Sequence, residues 1–460
     1  MKLITEKLAE YVVKLRYEDL PEDVVEAAKK CLFDSLGNMC GGRYTELGKK
    51  AVEYIRRVPQ LTEGEKKVTL LGGDAVSRED AFTAHAVMAR CTDLDDGHRF
   101  AMGHPGSVII PAVFSTAEQC GSSEKDLLAA IVASYDVYAR IGSAINPSSY
   151  RERGFDATGI VGGIACAAAI GKLCGLDQEE MRNALGIAAL FSGGLIEYQN
   201  DGSMGKVLCG SFAVRNGMEA VTFAKQGFTG PIQAIEGKKG FLQAFSNDPR
   251  PERILKDLGR DFKIRETYFK MHACMRGLHA AVDAVLLLRE KYRILPDDIL
   301  DIEVHTTPFV GRLSKPSPET LIGAQCSLEF ALAAALYKGH LSSEAVLEES
   351  MHHPEIFDLA SRIRLVMDPE IDEHVKKNPS HWGAARIVIR MKDGSSVEQL
   401  ETLPSGEAEK PFGWEQLQEK YRRLSKETPF EKTEEAVCAC VRSLENPGRF
   451  RELITLLQAC

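Results

Sequence analysis

The chain has 460 residues, of which 44% are hydrophobic and 27% charged, and its formal net charge is −9. It is too long for one ordinary domain, so two domains are expected, and it lacks the dense basic cluster typical of nucleic-acid-binding proteins. No apolar run reaches the roughly 18 residues that span a bilayer, and the charged N-terminus lacks the apolar stretch of a signal peptide. We therefore expect a cytoplasmic protein with no membrane or nucleic-acid partner.

The first 260 residues predict a bundle of helices. The stretch 21–42 begins with Pro21, carries acidic residues in its first turn, places apolar residues at helical spacing and ends at Gly41 and Gly42. Six more stretches have this character, and several are rich in the Ala and Gly that let helices pack closely. They are residues 77–89, 107–119, 123–145, 159–173, 178–191 and 211–226.

The pattern changes near residue 262. Residues 299–306 and 385–391 are predicted strands, and 396–403 is the return strand of a hairpin whose turn is Lys392-Asp393-Gly394. Three predicted helices lie among these strands: 278–291, 328–336 and 343–350. This mixture predicts an α+β domain.

The C-terminal tail is helical again, at residues 413–423, 431–443 and 449–457, and we expect it to return to the first domain. The predicted fold class is therefore mainly α. A large all-helical domain, residues 1–262 and 406–460, is completed by the tail, and residues 263–405 form the smaller α+β domain.

The segment CTDLDDGHRFAMGHPGSVIIPA crowds acid–base groups into a glycine-containing loop: Asp93, Asp95, Asp96, His98 and His104. Crowded carboxylates cannot all ionise cheaply, so at least one pKa should rise, and a nearby His can act as acid or base. A solvated loop with helix-capping aspartates explains the same residues. A metal site is a third, less favoured interpretation.

Two later segments suit an anionic ligand. Residues 154–163, which include Asp156, open a small-residue helix whose free N–H groups could bind a carboxylate; close helix packing is the alternative. Lys206 follows a flexible segment and precedes an apolar helix, so its ammonium group could lie inside the protein as a binding or proton-transferring group. A surface lysine is the competing interpretation.

Residues 268–284 gather cations at the expected domain junction, where ligands commonly bind. Lys270, His272, Arg276 and His279 would suit a polyanionic substrate, and Arg276 could hold a carboxylate in bidentate fashion. His279 could equally be a helix-capping or core residue. Zinc bound by Cys274 and the two histidines is disfavoured because a second Cys/His pair at finger spacing is missing.

Six segments, in this order, resemble the MmgE/PrpD family, which includes 2-methylcitrate dehydratase, cis-aconitate decarboxylase and iminodisuccinate epimerase. The segments that carry this resemblance are residues 20–42, 93–112, 153–176, 204–217, 227–245 and 268–284. The resemblance implies the same two-domain fold, a homodimer, a site between the domains, and no metal or organic cofactor. It places the family's active-site residues on Asp93, His104, Lys206 and Lys270.

The sequence departs from the family pattern at several positions. Gly97-His98 follows the paired aspartates where members often have Thr, and Asp156 stands where a His is frequent. Relative to the decarboxylase, Met275 replaces a His and Phe330 a Tyr. The HACMRGLH form also differs from the dehydratases' YPAEFH-like sequence, so neither substrate is specified.

Together these segments suggest that the protein abstracts a proton α to a carboxylate of its substrate. The expected partner of this chain is therefore a small di- or tricarboxylic acid. Asp93 or His104 would be the base, and cations would stabilise the developing charge. The catalytic residues expected are Asp93, His104, Lys206 and Lys270; the substrate-binding residues are His98, Asp156, Arg276 and His279.

The primary prediction is a hydro-lyase of the 2-methylcitrate dehydratase type. A cofactor-independent epimerase is the alternative, because the same residues serve both reactions. Two further alternatives are a metal-dependent hydrolase that uses Asp93, Asp95, Asp96 and His104, and a non-catalytic homologue that binds a carboxylate.

Overall fold

The computed structural model describes residues 3–57 and 67–458. Its α-helices are Ile4–Lys14, Glu22–Gly42, Glu46–Arg57, Arg78–Cys91, Gly106–Cys120, Glu124–Ile145, Ser148–Arg151, Ala157–Ile160, Gly162–Leu173, Gln178–Leu190, Tyr198–Asp201, Gly205–Lys225, Phe241–Phe245, Glu252–Leu255, His279–Tyr292, Pro308–Gly311, Leu321–Gln325, Leu328–Lys338, Glu344–Ser350, Pro354–Ser361, Pro369–Lys377, Trp414–Ser425, Glu434–Arg442 and Arg449–Gln458. Its strands are Val68–Thr69, Ala75–Val76, Gly97–His98, Thr267–Tyr268, Ile299–Thr306, Ile363–Met367, Ala385–Met391 and Ser396–Glu401. The predicted mainly α class is confirmed.

One hydrophobic core belongs to the helices before residue 270 and to those after residue 411. Small residues bring these helices together: a Cβ added at Gly217 would lie 2.6 Å from that of Cys166. The C-terminal helices close this core, since Tyr421 stacks on Phe33 with ring centroids 5.3 Å apart. Lys420 also donates to Asp34 Oδ1 at 2.5 Å. The chain therefore returns to its N-terminal helices, as expected from the helical tail.

The helix Glu124–Ile145 is long and apolar enough to cross a membrane by length and composition alone. However, 94% of its most apolar window is buried inside the protein, so it is placed as a core helix. Its start is fixed by the Ser123 side chain, which accepts a hydrogen bond from the Asp126 N–H. The apolar composition here serves core packing.

A second core lies around the four-stranded sheet, whose order is Ile363–Met367, Ile299–Thr306, Ala385–Met391, Ser396–Glu401. The first two strands are parallel and the others antiparallel, with Val304 opposite Ile387. The buried alternate residues of these strands pack against helices such as His279–Tyr292 and Leu328–Lys338.

A two-residue strand pair joins the parts of the chain that carry the candidate site. Gly97 and His98 pair antiparallel with Tyr268 and Thr267, respectively. A Cβ on Gly97 would lie 2.2 Å from the Tyr268 hydroxyl oxygen, so only glycine fits there. This pairing holds the aspartate loop beside the segment that contains Lys270.

Candidate active site

Asp93 lies between two buried lysines. Its Oδ1 is 2.9 Å from the Nζ of Lys206 and 3.1 Å from that of Lys270. Lys206 also donates to Gln325 Oε1 at 2.8 Å, and Lys270 to the Asp93 carbonyl at 3.0 Å. These groups are separated by up to 177 residues along the chain. The structure thus brings three of the residues that the sequence singled out into one ion cluster.

The backbone at Asp93 is in the left-handed region, with φ of 56°. Non-glycine residues rarely adopt this conformation, which costs on the order of 1–3 kcal/mol. The residue follows directly on the end of the helix Arg78–Cys91, and the hydrogen bonds from Lys270 to both its carbonyl and its carboxylate hold it in place. In this conformation the carboxylate lies between the two ammonium groups.

The cluster keeps unsatisfied hydrogen-bonding capacity. Among the described residues, Asp93 Oδ2 is buried with no hydrogen-bond partner. Each ammonium has two acceptor atoms within 3.1 Å, and a lysine has three donors, so one N–H of each remains. Two positive charges against one negative charge also leave the cluster net positive. A bound anion would accept from the two remaining N–H groups and balance the positive charge.

Burial and charge act against each other on these pKa values. Burial raises the pKa of Asp93, but Lys206 and Lys270, helped by His104 and Arg90, outweigh it and hold the pKa below its usual range. Burial lowers the pKa of Lys270 despite the opposing effect of Asp93. Asp93 is therefore a carboxylate at neutral pH, and Lys270 gives up its proton more readily than a surface lysine does.

His104 lines the same cavity as the lysines. Its Nδ1 lies 2.7 Å from the Asp96 carbonyl oxygen, which can only accept, so Nδ1 carries the proton and Nε2 is the free acceptor. Burial lowers the pKa of His104 to about 4, although the Asp95 carboxylate opposes the shift. His104 is therefore neutral at pH 7, with an unprotonated Nε2.

The other two aspartates of the loop have protein partners. Arg90 Nη1 lies 2.8 Å from Asp95 Oδ2, and burial, which raises the pKa of Asp95, is outweighed by His104 and Arg90. Asp96 accepts from Tyr135 at 2.7 Å and from the Gly106 N–H at 2.8 Å. Burial and the nearby Asp34 raise the pKa of Asp96 to about 7. The expected raised pKa thus falls on Asp96, whose oxygens are both occupied.

The free space around this cluster is about 630 Å³, including its opening to solvent. Its cationic lining is Arg90, Arg99, Lys206, Lys270 and Arg276, and its carboxylates are Asp93 and Asp156. The lining also includes Tyr150, Tyr198, Gln199, Tyr268, Met275, Cys326 and Trp382. A cavity with this charge suits a small carboxylic acid.

The four predicted substrate-binding residues lie in different positions. Asp156 lines the cavity, but its oxygens accept from the Thr158 N–H at 2.8 Å and the Tyr198 hydroxyl at 2.9 Å. Arg276 also lines it, with Nε and Nη2 3.0 and 2.7 Å from Glu407 Oε1. Both act as parts of the cavity wall whose charges are already paired.

His98 and His279 are outside the cavity lining. The Nε2 of His98 lies 3.3 Å from Glu266, and its Nδ1 accepts from the Ala101 N–H. His279 has Nε2 3.1 Å from the Cys274 carbonyl and Nδ1 3.3 Å from Arg276 Nη1. Both histidines therefore make local structural contacts, which was the alternative considered for His279.

Several cavity residues were missed by sequence reasoning. Arg90 lies inside a helix whose sequence pattern is that of a core helix. Its position three residues before Asp93 is the one feature of the sequence that could have indicated a role in the site. Tyr198 and Gln199 lie on the short helix Tyr198–Asp201 between two longer ones. The sequence around these two residues has no periodicity that would distinguish a ligand-binding segment from a simple connection between helices.

The donors around the cluster do not match the ligand set of a metal ion. Within the described ranges, no group of three or more His, Cys, Asp and Glu side chains is arranged to hold one. Asp93 faces ammonium groups, and His272, one of the zinc candidates, has its Nε2 2.8 Å from Asp283. The acidic loop is thus organised around protein cations and hydrogen-bond donors.

Comparison with known proteins defines the class. Residues 6–254 match the family model of the MmgE/PrpD N-terminal domain, and residues 272–446 match that of the MmgE/PrpD C-terminal domain. The chain therefore belongs to the MmgE/PrpD family.

Among curated proteins, it is similar over nearly its whole length to three relatives. A cis-aconitate decarboxylase-like protein of Aspergillus oryzae is 27% identical, covering 99% of this chain and 97% of the relative. The cis-aconitate decarboxylase of Aspergillus terreus is 27% identical, covering 99% and 96%. That of Homo sapiens is 25% identical, covering 100% and 95%.

Proposed function

We propose that this protein is a lyase that acts α to a carboxylate of a small di- or tricarboxylic acid, with dehydration as its reaction. The observation that carries the proposal is the net positive cluster of Asp93, Lys206 and Lys270 beside neutral His104 in one buried cavity. Abstraction of a weakly acidic proton requires a base and nearby positive charge to stabilise the carbanion. Here the base lies next to two ammonium groups that each keep one N–H donor.

Binding starts with the substrate carboxylate. The remaining N–H donors of Lys206 and Lys270 hold it, because both ammonium groups are already positioned by Asp93. Asp93 itself is the anchor of the two lysines. Its ionised state keeps both ammonium groups in place without fully neutralising them.

His104 is the base in this scheme. Its unprotonated Nε2 takes the α-proton, and the electron pair of the broken C–H bond moves into the carboxylate, which becomes doubly charged. Lys206 and Lys270 stabilise that charge by electrostatic preorganisation. The electrons then form a carbon–carbon double bond as the β-hydroxyl leaves, and the leaving oxygen takes a proton from the His104 imidazolium to depart as water.

Decarboxylation is the second candidate, favoured by the curated names of the relatives. In that reaction a carbon–carbon bond breaks to give CO₂, and the resulting carbanion needs a proton donor. The resemblance places Met275 where the decarboxylase has a His, and Met275 lines the cavity, so this side chain cannot supply the proton. Epimerisation is the third outcome, in which a proton is delivered to the opposite face of the carbanion and no group is lost.

One experiment separates these reactions. The protein is incubated with a panel of hydroxylated and unsaturated di- and tricarboxylates in D₂O and followed by proton NMR and CO₂ release. The proposal expects new vinyl signals from a hydroxy acid without CO₂. Release of CO₂ would instead identify the protein as a decarboxylase. Deuterium exchange or inversion without any other product would indicate an epimerase.

The base is tested in the same assay with His104→Asn, which keeps a donor beside the Asp96 carbonyl. Product formation should fall by about 10²–10⁴-fold, the usual contribution of a general base. Stabilisation against thermal unfolding by the carboxylates should persist, since the lysines remain. If wild-type protein binds the panel but converts none of it, the chain is a non-catalytic homologue; stoichiometric metal in active protein would favour the hydrolase alternative.

A further inference from the structure

A second groove adjoins the candidate active site. It shares four lining residues with the cavity that holds the ion cluster: Tyr150, Gln199, Met275 and Cys326. These side chains therefore form a wall that has the cavity on one side and the groove on the other. On its outer side the groove meets solvent, where Arg151 and Arg312 are exposed.

The charge of this groove is positive. Arg151, Arg312 and Lys315 line it, and its lining contains no carboxylate side chain. Within the described ranges, none of these three cations forms an ion pair with an acidic residue. The Nζ of Lys315 has the Asn200 carbonyl as its acceptor, at 3.4 Å. Three positive charges thus meet the solvent at the outer side of the cavity wall.

The acidic residues that adjoin these segments bond elsewhere. Glu152, next to Arg151, accepts from the Ser148 hydroxyl at 2.8 Å and from the Asn247 amide at 2.9 Å. Burial lowers the pKa of Arg151, and the nearby Arg312 lowers that pKa too, against the opposing effect of Tyr150. The two guanidinium groups therefore repel each other, and an anion between them would relieve the repulsion.

An aromatic side chain holds Arg151 at this place. The guanidinium carbon of Arg151 lies 4.4 Å from the ring centroid of Phe309. Stacking of this kind stabilises the cation and leaves the N–H donors in the guanidinium plane available. Arg312 follows directly on the helix Pro308–Gly311 that carries Phe309. Both arginines are thus positioned without using their charge on a protein carboxylate.

The wall between groove and cavity is held by a local contact. Gln199 Nε2 donates to the Tyr150 hydroxyl at 2.6 Å. Tyr150 lies on the same short helix, Ser148–Arg151, as the groove arginine. Beyond this wall lies the net positive cluster of Lys206 and Lys270 with Asp93. An anion drawn into the groove is therefore already next to the wall of the site.

We propose that this groove is an entry subsite, in which Arg151, Arg312 and Lys315 bind a carboxylate from solvent before it passes the wall to Lys206 and Lys270. The inference rests on the proposed function only in taking a small carboxylic acid as the ligand. Positive charge that lines a cleft raises the association rate of an anion by about 10–10³-fold. The groove acts on the rate of entry, and the lysines hold the ligand afterwards.

Tryptophan fluorescence gives a test that needs no turnover. The chain has two tryptophans. Trp382 lines the cavity, whereas Trp414 packs on Phe33, with ring centroids 5.6 Å apart. In a Trp414→Phe background the emission therefore reports Trp382 alone. Stopped-flow mixing with citrate, a tricarboxylate, then yields separate association and dissociation rate constants.

The charge variants are compared in this background. At an ionic strength of about 10 mM, Arg151→Gln and Arg312→Gln should each lower the association rate constant about two- to fivefold. The double variant should lower it about tenfold, and the dissociation rate constants should stay near that of the parent protein. In about 1 M NaCl, where the Debye length is about 3 Å, these differences should vanish.

Lys432→Gln is the matched control, because it makes the same change in net charge at an exposed residue outside the groove. Its association rate constant should stay near that of the parent protein, and circular dichroism checks that every variant is folded. Trp382 emission that does not respond to citrate, an equal loss in Lys432→Gln, a loss that persists in 1 M NaCl, or an effect on dissociation alone would overturn the proposal.

Failure of the proposed reaction is a separate result. A protein that forms no vinyl product but shows slower citrate association in the arginine variants keeps the entry subsite and lacks the dehydration. A protein that dehydrates a hydroxy acid while both arginine variants associate with citrate as fast as the parent has the reaction without this entry subsite.

Discussion

The ion pair of Asp136 and Arg140 and the cluster of Asp93, Lys206 and Lys270 are both buried, but the protein satisfies them differently. Asp136 accepts from the Lys263 N–H, the Tyr11 hydroxyl and Arg140 Nε. Arg140 donates three of its four other N–H groups to the backbone carbonyls of Ile254, Lys256 and Asp261.

The Asp93 cluster, in contrast, keeps one carboxylate oxygen and two ammonium donors without a described partner. A buried charge that only supports the fold completes its hydrogen bonds within the protein, because each unmet bond costs free energy. A buried charge that binds a ligand leaves some of them open toward a cavity. The contrast makes the Asp93 cluster, rather than the Asp136–Arg140 pair, the candidate for ligand binding.

The largest expected effect is a loss of stability when the buried pair of Asp136 and Arg140 is broken. Arg140→Met removes one partner of a fully buried pair and should lower the free energy of unfolding by about 3–5 kcal/mol. Urea unfolding at pH 7 measures the loss. At a temperature where the variant is still folded, its turnover should stay close to wild type, because Arg140 does not line the cavity; a large loss of activity with unchanged stability would contradict the distinction.

On the functional side, Lys270→Met should lower kcat/KM by about 10²–10³-fold, the usual effect of removing one preorganised charge. Lys29→Met is the matched control, since Lys29 is equally a buried lysine, bonded to the Arg442 carbonyl and Glu445. Steady-state kinetics with the substrate identified by NMR measures both variants. Equal losses in the two would show that any buried lysine matters as much as the one beside Asp93.

Asp96 sharpens the comparison, because it lies in the same loop as Asp93 and His104 yet has both oxygens occupied. The folded state keeps its proton up to about pH 7, whereas an unfolded aspartate loses it near pH 3.9. Between these values the folded state binds more protons, so this group makes stability fall as pH rises.

Asp96→Asn removes that titration. At pH 8 the variant should exceed the wild type in unfolding free energy by roughly 1–3 kcal/mol, and the difference should shrink toward pH 4. Urea unfolding across this pH range measures it. A difference that does not change with pH would assign the effect to packing around Tyr135 instead.

The smallest expected effect concerns the cavity wall. Tyr198→Phe removes the hydroxyl that donates to Asp156 Oδ2 at 2.9 Å. One hydrogen bond to a charged group at the edge of the site should change kcat/KM by about three- to tenfold. Kinetics of Tyr198→Phe beside Asp156→Asn checks this: the two losses should not add, because both variants act on one interaction.

Much of the fold was predictable because its patterns are local. The strands 299–306 and 385–391 follow directly from alternation of buried and exposed residues. The strand Ile363–Met367 was missed, since it pairs with Ile299–Thr306 in parallel, a contact between distant parts of the chain. The helix carrying Lys206 was predicted to start at residue 211, but it starts at Gly205. The segment before Lys206 was taken as flexible, whereas Gly205 already begins the helix.

The site was predictable only where residue types are distinctive. The crowded aspartates and the lysine motifs marked the positions that the structure gathers around Asp93. Which groups face the cavity was not readable, because His98 and His279 differ from His104 only in tertiary contacts. Arg90 and Tyr198 were missed for the same reason.

The short pairing of Gly97–His98 with Thr267–Tyr268 has a consequence for how the protein becomes active. Asp93 reaches Lys270 only after residues 267–270 have docked beside the loop, and the glycine at 97 leaves no room for a looser fit. A nascent chain that has emerged only as far as residue 260 carries His104 and Lys206 but lacks Lys270. The complete cluster of Asp93, Lys206 and Lys270 can therefore form only after synthesis has passed residue 270, when the two parts of the chain meet.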